Sequence, residues 1–263
     1  MGRMTIDLTR LDSLTQDELW DEQAATTYDT PGEGMSSPEV LDPTVDRLVG
    51  LAAGGPALEL AVGTGRVAIP LARRGVPVTG IEASRPMLDQ LAQTEGSDAV
   101  TAVHGDMATT RVDGEFSLVY LVFNTIANLL TQEAQVECFR NAAAHLSPGG
   151  RFVIELWVPD LRGVSPTAPA QVFAVEDGYV GLDAIDTATQ RLMSHHVRFD
   201  PKARGPERRE ARIGFTPHRY VWPSELDLMA RLAGMELESR HADWAGAPFT
   251  SQSGSHVSVY RLP

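Results

Sequence analysis

The sequence predicts an α/β protein: a seven-stranded, mostly parallel sheet with an antiparallel β insertion before its last helix. Three observations lead there. From Ala57 to Trp157, short apolar runs bounded by turn residues alternate with helical patterns, as in a parallel sheet covered on both faces. The first run, Ala57-Leu58-Glu59-Leu60-Ala61-Val62, turns through Gly63-Thr64-Gly65 into a helix. Glycine permits a tight turn that a ligand approaches without meeting a Cβ. From about 160 to 222 no helical pattern is found, and strand-like segments separated by Gly/Pro turns take over.

In order along the chain, residues 13–27 predict a short acidic helix with Ser13 as its N-cap. The breakers Pro31, Gly32 and Gly34 make 28–38 a loop, and helix returns over 43–53 with Val45, Leu48, Val49 and Leu51 as its apolar face. Strands are expected at 57–62, 76–82, 99–104, 115–122 and 150–157, with helices at 65–74, 84–93 and 132–145. Leu146-Ser147-Pro148-Gly149-Gly150 stops the last of these helices and reverses the chain. Within the insertion, 171–175, 190–199, 209–215 and 218–222 read as strands. Pro223 opens a final helix stopped by Gly234, and strands at 235–243 and 255–261 close the pattern. The implied regions are a helical cap (1–40), a core (41–160 with 223–263) and an inserted lid or substrate region (161–222).

The 263 residues carry a net charge of −13, which argues against a nucleic-acid partner, because phosphate binding needs clustered Lys and Arg. The arginines that do cluster, Arg204, Arg208, Arg209 and Arg212, are interleaved with Glu207 and Glu210 and read as a solvated, charge-mixed segment. Cys138 is the only cysteine, so an intrachain disulfide is impossible and a reducing cytoplasm fits. No apolar run approaches membrane-spanning length, the first thirty residues lack a signal-peptide core, and Ile6 breaks the myristoylation pattern begun by Met1-Gly2.

Seventeen residues beyond Gly65, the second strand ends in Glu82, placed to hold a ribose diol. Strand, glycine turn, helix, strand and acid together form an adenosine-binding device. Gly63-x-Gly65-x-x-Ala68 also satisfies the looser nicotinamide fingerprint, so the glycines alone do not choose a cofactor. Three further features favour a methyl donor: Glu59 before the loop, Gly105-Asp106-Met107 after the third strand, and Pro148-Gly149-Gly150 before the fifth. A carboxylate beside the loop would repel a pyrophosphate yet suit a sulfonium and an ammonium.

In this order the motifs resemble those of the class I S-adenosylmethionine-dependent methyltransferases, strongly over 40–157 and in outline over 223–263. The resemblance implies a Rossmann-like fold, S-adenosylmethionine as donor and S-adenosylhomocysteine as product. Ala61, Gly63, Thr64 and Gly65 would form the loop under the donor, with Glu59 facing the junction of methionine and ribose. Glu82 would accept from both ribose hydroxyls. Ala83 and Met87 would line the adenine slot, with Asp106 accepting from the adenine amino group and Met107 beside the ring. Tyr28 and Phe123 complete the expected donor contacts. Phe123-Asn124-Thr125-Ile126 lacks the Asn/Asp-Pro-Pro-aromatic signature of enzymes that methylate nucleic-acid bases or glutamine side chains. Tyr28-Asp29 and the β insertion are similar to bacterial N-methyltransferases of aminosugars and natural products. The implied acceptor is therefore the nitrogen or oxygen of a small molecule.

Methyl transfer is an in-line displacement in which positioning supplies much of the acceleration. A base is needed only when the nucleophile arrives protonated. The candidates are His195, His196, His218 and Tyr220. His195 and His196 point to opposite faces of their strand, whereas His218 and Tyr220 share one face with Arg219 opposite. Trp157, at the carboxyl end of the fifth strand, and Arg219 are expected substrate contacts. No metal site is predicted, because no compact Asp/Asn/His group stands beyond Asp106. A homodimer through the insertion's strand edges is expected, since open edges need cover. An NAD(P)-dependent oxidoreductase and a non-catalytic cofactor-binding module remain as alternatives from the sequence.

Overall fold

β1 (Ala57–Leu60) is buried along its whole length and lies in the middle of a sheet in a computed structural model that describes residues 14–29, 34–165, 167–203 and 210–263. Ser13, Pro31, Gly32, Arg204, Arg208 and Arg209 lie outside the described residues. β1 pairs in parallel with β2 (Val78–Glu82) on one side and β4 (Phe116–Leu121) on the other. β3 (Val100–His104) continues parallel beyond β2, and β5 (Leu146–Trp157) continues parallel beyond β4. β11 (Ser255–Arg261) runs antiparallel to β5, and β10 (Glu236–His241) antiparallel to β11, giving the order β10-β11-β5-β4-β1-β2-β3. The chain leaves β1 towards β2 and β3, then crosses back to β4. The topological switch point, where open α/β sheets bind ligands, is therefore the gap beyond the ends of β1 and β4.

Helices cover both faces. α3 (Pro38–Ala52), α4 (Ala68–Arg73) and α5 (Arg85–Gln93) bury Val45, Leu48, Leu71 and Leu91 in one cluster with Val78, Tyr120 and Val259 of the sheet. On α6 (Gln132–His145), Phe139 packs edge-on against Phe152 and Tyr260, with centroids 5.0 and 5.7 Å away. α7 (Pro223–Leu232) precedes the closing strands. Gly80 is glycine for a packing reason: a Cβ there would stand 2.6 Å from Val62.

The expected helix over 13–27 is instead two, α1 (Gln16–Leu19) and α2 (Glu22–Tyr28). Thr15 and Glu18 form a reciprocal capping box, and Asp21 then accepts from the Ala24 amide, so a second N-cap restarts the helix. α3 begins at Pro38 rather than 43, with Ser37 as its N-cap and Pro38 in the first turn. α4 begins at Ala68, later than expected, because Gly65 at φ +86° is not helical. The stretch read as a stop and reversal, Leu146–Gly150, belongs to β5, where the register against β4 jumps from Leu146 to Arg151.

The described residues form two compact units. Thr15–Ile126, Gln132–Val158 and Trp222–Pro263 make the first, which holds α1 and α2 together with the seven-stranded sheet. Pro159–Val221, with Ala127–Thr131 and the described Leu14, makes the second. It holds β6 (Ala170–Glu176), β7 (Tyr179–Asp186), β8 (Arg191–Arg198) and β9 (Arg212–Arg219), an antiparallel sheet in sequence order. Among the described residues no helix is long and apolar enough to cross a membrane, and no three His, Cys, Asp or Glu side chains converge on a metal site.

Candidate active site

Both strands flanking the switch point end in left-handed backbone. After β1, Ala61, Gly63 and Gly65 have φ of +57°, +56° and +86°; after β4, Phe123 and Asn124 have +51° and +64°. Non-glycine residues rarely adopt such angles, and where they do the strain marks ligand sites. The second turn is fixed from β5. Glu155 Oε2 accepts from the Phe123 amide at 2.8 Å, and Asn124 Oδ1 accepts from the Trp157 amide at 2.7 Å. Trp157 is half-buried at the end of β5. Sequence reasoning gave Glu155 no role, since one acid inside a strand forms no motif.

Glu82 lies under the glycine turn. Its Oε2 accepts from the Gly63 amide at 2.9 Å and its Oε1 from the Ser84 amide at 2.8 Å. Burial raises this carboxyl above its usual range, and the backbone donors oppose that rise. An ionised carboxylate has about four acceptor positions, so room for a further donor remains after the Ser84, Gly63 and Ala83 amides. Ser84 also caps α5 through the Met87 amide, which buries the Met87 side chain. The Ala83 carbonyl accepts from His104 Nε2 at 3.0 Å.

The two loop glycines differ in purpose. A Cβ on Gly63 would meet no heavy atom within 4 Å, so the backbone there borders open space. A Cβ on Gly65 would stand 2.4 Å from Leu91 Cδ1 and 2.9 Å from Ile69 Cδ1, so this glycine lets the loop sit on α4 and α5.

Glu59 departs from its expected role. The residue is 2% exposed, and its Oε2 accepts from the Tyr120 hydroxyl at 2.9 Å. Desolvation pushes its carboxyl up to about 8, against the pull of Tyr120, Arg66 and the Ala68 amide. At neutral pH this group is mainly protonated, so it does not present the fixed negative charge on which the sequence argument relied. Its place is beneath the loop as a support.

Asp106, after β3, is exposed; its Oδ1 accepts from the Ala108 amide at 2.7 Å and shapes the local turn. Met107 beside it is buried, and its carbonyl accepts from Asn141 at 2.7 Å.

The N-terminal helices reach this loop. Tyr28 meets Trp20 edge-on with ring centroids 5.5 Å apart. Its neighbour Asp29 accepts from the Thr64 hydroxyl and from Ser36 Oγ, and lies 3.6 Å from Arg66 Nε. Arg66 also donates to the Met35 carbonyl at 3.1 Å, with its guanidinium carbon 5.5 Å from the Phe123 ring centroid. Tyr28, Asp29, Met35, Arg66 and Phe123 line a cavity of ≈ 280 Å³. The sequence named Tyr28, Thr64 and Phe123 but missed Arg66, which stands directly after the glycine turn.

In the second unit, His196 opposes Gly181 on β7 and Gly214 on β9, whereas His195 opposes Leu182 and Phe215, on the other face. His196 Nδ1 lies 2.8 Å from the Tyr179 hydroxyl, and the Phe173 ring meets the imidazole edge-on at 5.9 Å. Burial and the Arg198 charge lower its pKa. Two candidates differ from expectation. β9 stops at Arg219, so Tyr220 lies past the strand; its backbone is held by Gln190 and its side chain is 2% exposed. Arg219, expected on substrate, is 4% exposed with Nη2 on Gln190 Oε1 at 3.0 Å. Burial lowers His218 to about 4, so it is neutral at pH 7.

An open glycine backbone, a buried carboxylate with acceptor positions in reserve and a cavity at the switch point fit a nucleoside-bearing cofactor. They define an α/β nucleotide-cofactor protein. Residues 57–150 match the family described as "Methyltransferase domain". The solved CcbJ methyltransferase from Streptomyces caelestis is 38% identical, with a TM-score of 0.78 over 93% of this chain and 98% of that one. The cypemycin N-terminal methyltransferase of a Streptomyces species is 28% identical over 94% of this chain and 98% of its own length. The dTDP-3-amino-3,4,6-trideoxy-alpha-D-glucopyranose N,N-dimethyltransferase of Streptomyces venezuelae is 33% identical over 54% of each chain. The chain belongs to the class I S-adenosylmethionine-dependent methyltransferases.

Proposed function

We propose that this enzyme transfers the donor's methyl group to the amine nitrogen of a small molecule. When bound, S-adenosylmethionine supplies an electrophilic methyl group on a sulfonium. Glu82 accepts from the ribose hydroxyls with the acceptor positions its backbone partners leave, and Asp106 accepts from the adenine amino group beside Met107. The Gly63 backbone borders the donor's arm, and the guanidinium of Arg66 pairs with its carboxylate. Tyr28 and Phe123 flank the same cavity. The observation that carries the donor side is the Glu82 carboxylate bound to the Gly63 and Ser84 amides on a backbone open at Gly63.

Nitrogen is favoured over oxygen because the cypemycin and aminosugar relatives are N-methyltransferases. An amine reaching the enzyme as an ammonium needs a proton acceptor before attack. His196 suits that task better than His218 or Tyr220, being half-exposed, neutral and oriented by Tyr179. Acceptor choice falls to the inserted unit and Trp157. A homodimer in the cytoplasm completes the reading, supported by the open edges of β6 and β9 and by the exposed Val172, Val175, Ile213 and Phe215.

The test is incubation with S-adenosylmethionine and two amine acceptors, a dTDP-aminosugar and a short peptide with a free N-terminus, each beside its hydroxyl analogue. The expected result is a methyl gain on an amine by mass spectrometry, with the analogue unchanged. Methylation of the hydroxyl analogue alone would reverse the choice of nitrogen.

A further inference from the structure

A second cavity, of ≈ 360 Å³ and open to solvent, lies between residues of α2, α3, α4, α5 and the glycine turn. Its size falls in the range of small-molecule sites. Ala25, Leu41, Ile69 and Pro70 give it an apolar lining, and Thr26, Gln90 and Thr94 add hydrogen-bonding groups. Tyr28, Met35 and Phe123 of the first cavity are absent from its lining, whereas Thr64 and Gly65 of the glycine turn belong to it. The two cavities do share Asp29, Ser36 and Arg66.

The charges on its wall are already matched. Arg73 donates to the Glu95 carbonyl at 2.9 Å and lies 3.8 Å from that residue's carboxylate. Asp29 faces Arg66 at 3.6 Å and accepts from Thr64 and Ser36. An uncharged occupant would leave both pairs intact. The wall is also mechanically joined to the glycine turn. Thr64 belongs to that turn and bonds Asp29, and Ile69 is one of the two side chains on which Gly65 rests.

We propose that this cavity is a second binding site, for an uncharged small molecule with an apolar body and one or two hydrogen-bonding groups. Its occupancy alters donor affinity through Asp29–Thr64 and Ile69. The coupling half of this proposal rests on the donor reading above; the binding half does not.

The probe is 6-propionyl-2-dimethylaminonaphthalene, an uncharged fluorophore with an aromatic body and one carbonyl, titrated into the full chain. Saturable binding with blue-shifted emission is expected. Ala25→Phe and Gln90→Trp fill the cavity from α2 and α5, and each should weaken the probe about tenfold or more with circular dichroism unchanged. If one variant misfolds, the other still decides. Saturating S-adenosylhomocysteine should shift probe affinity by about fivefold or more without excluding the probe. Absence of saturable binding, full binding by a folded filled variant, or strict competition with S-adenosylhomocysteine would each overturn the site. An unshifted probe affinity overturns the coupling alone. A wild-type chain that binds no S-adenosylhomocysteine in calorimetry defeats the donor reading instead, while the probe and filling results stand by themselves.

Discussion

The Tyr120 hydroxyl donates to Glu59 Oε2 at 2.9 Å, joining the central strands β4 and β1 beside the glycine turn. Both groups are buried, and burial raises the Glu59 carboxyl to about 8. A carboxyl raised on folding keeps its proton in the folded chain while the unfolded chain loses it. Its contribution to stability is complete below about pH 4.5 and is lost as pH rises through about 8.

Glu59→Gln copies the shape of the protonated carboxyl and cannot ionise. The variant should match the wild type near pH 5 and exceed it near pH 9, by on the order of 4 kcal/mol. Urea denaturation at the two pH values measures this. A variant equally destabilised at both would show that the carboxyl supports the loop through its charge.

His256 predicts the opposite slope. Its ring is fully buried, and Ser258 Oγ, which accepts from Arg240 Nε at 2.7 Å, lies 2.9 Å from His256 Nδ1. Burial, then the Arg240 charge, lowers the imidazole to about 4. The unfolded chain therefore takes up a proton from about pH 6.5 downward and the folded chain does not. Stability is complete above that value and falls by about 2 kcal/mol between about pH 7 and pH 5. His256→Asn keeps a partner for Ser258 and should flatten this slope, leaving the share due to His218. Proton uptake on unfolding, followed by calorimetry in buffers of different ionisation enthalpy, reads it directly.

Donor affinity should depend unequally on the two carboxylates. Glu82 is buried with both oxygens on backbone amides, while Asp106 is exposed. Charge-assisted hydrogen bonds at buried positions contribute more, so Glu82→Gln should weaken S-adenosylhomocysteine about 10–100-fold and Asp106→Asn by less. Calorimetry with both variants checks the order. Unchanged affinity in both would remove the ribose and adenine assignments together.

Much of this architecture was legible because its signals are local. Apolar runs, N-caps such as Ser84 and the glycine turn each act within a few residues, and β1, β2 and α5 fall where these signals put them. The site was legible only where a motif is contiguous. Arg66 gains meaning from Asp29 and Phe123, which are far away in sequence, and Glu155 from a turn on the neighbouring strand. Periodicity also carries no information on depth. It put Tyr220 and Arg219 on a strand in alternation, but their burial depends on what packs around them.

The two loop glycines provide a test that separates binding from folding. Gly63→Ala places a methyl group where no atom lies within 4 Å, in a backbone at φ +56°. The left-handed angle costs about 1–2 kcal/mol, and the methyl group projects into the space assigned to the donor. Gly65→Ala carries a similar backbone cost at φ +86° and also forces Leu91 and Ile69 aside, adding about 1–3 kcal/mol of overpacking. Gly63→Ala should therefore keep a melting temperature close to wild type while losing most S-adenosylhomocysteine binding. Gly65→Ala should lose more stability, and its donor affinity should fall less per degree of melting temperature lost. Thermal unfolding paired with calorimetry at a temperature where both variants are folded decides the matter. If Gly63→Ala binds as the wild type does, the donor's arm does not cross that residue and the cavity beside Arg66 holds something else.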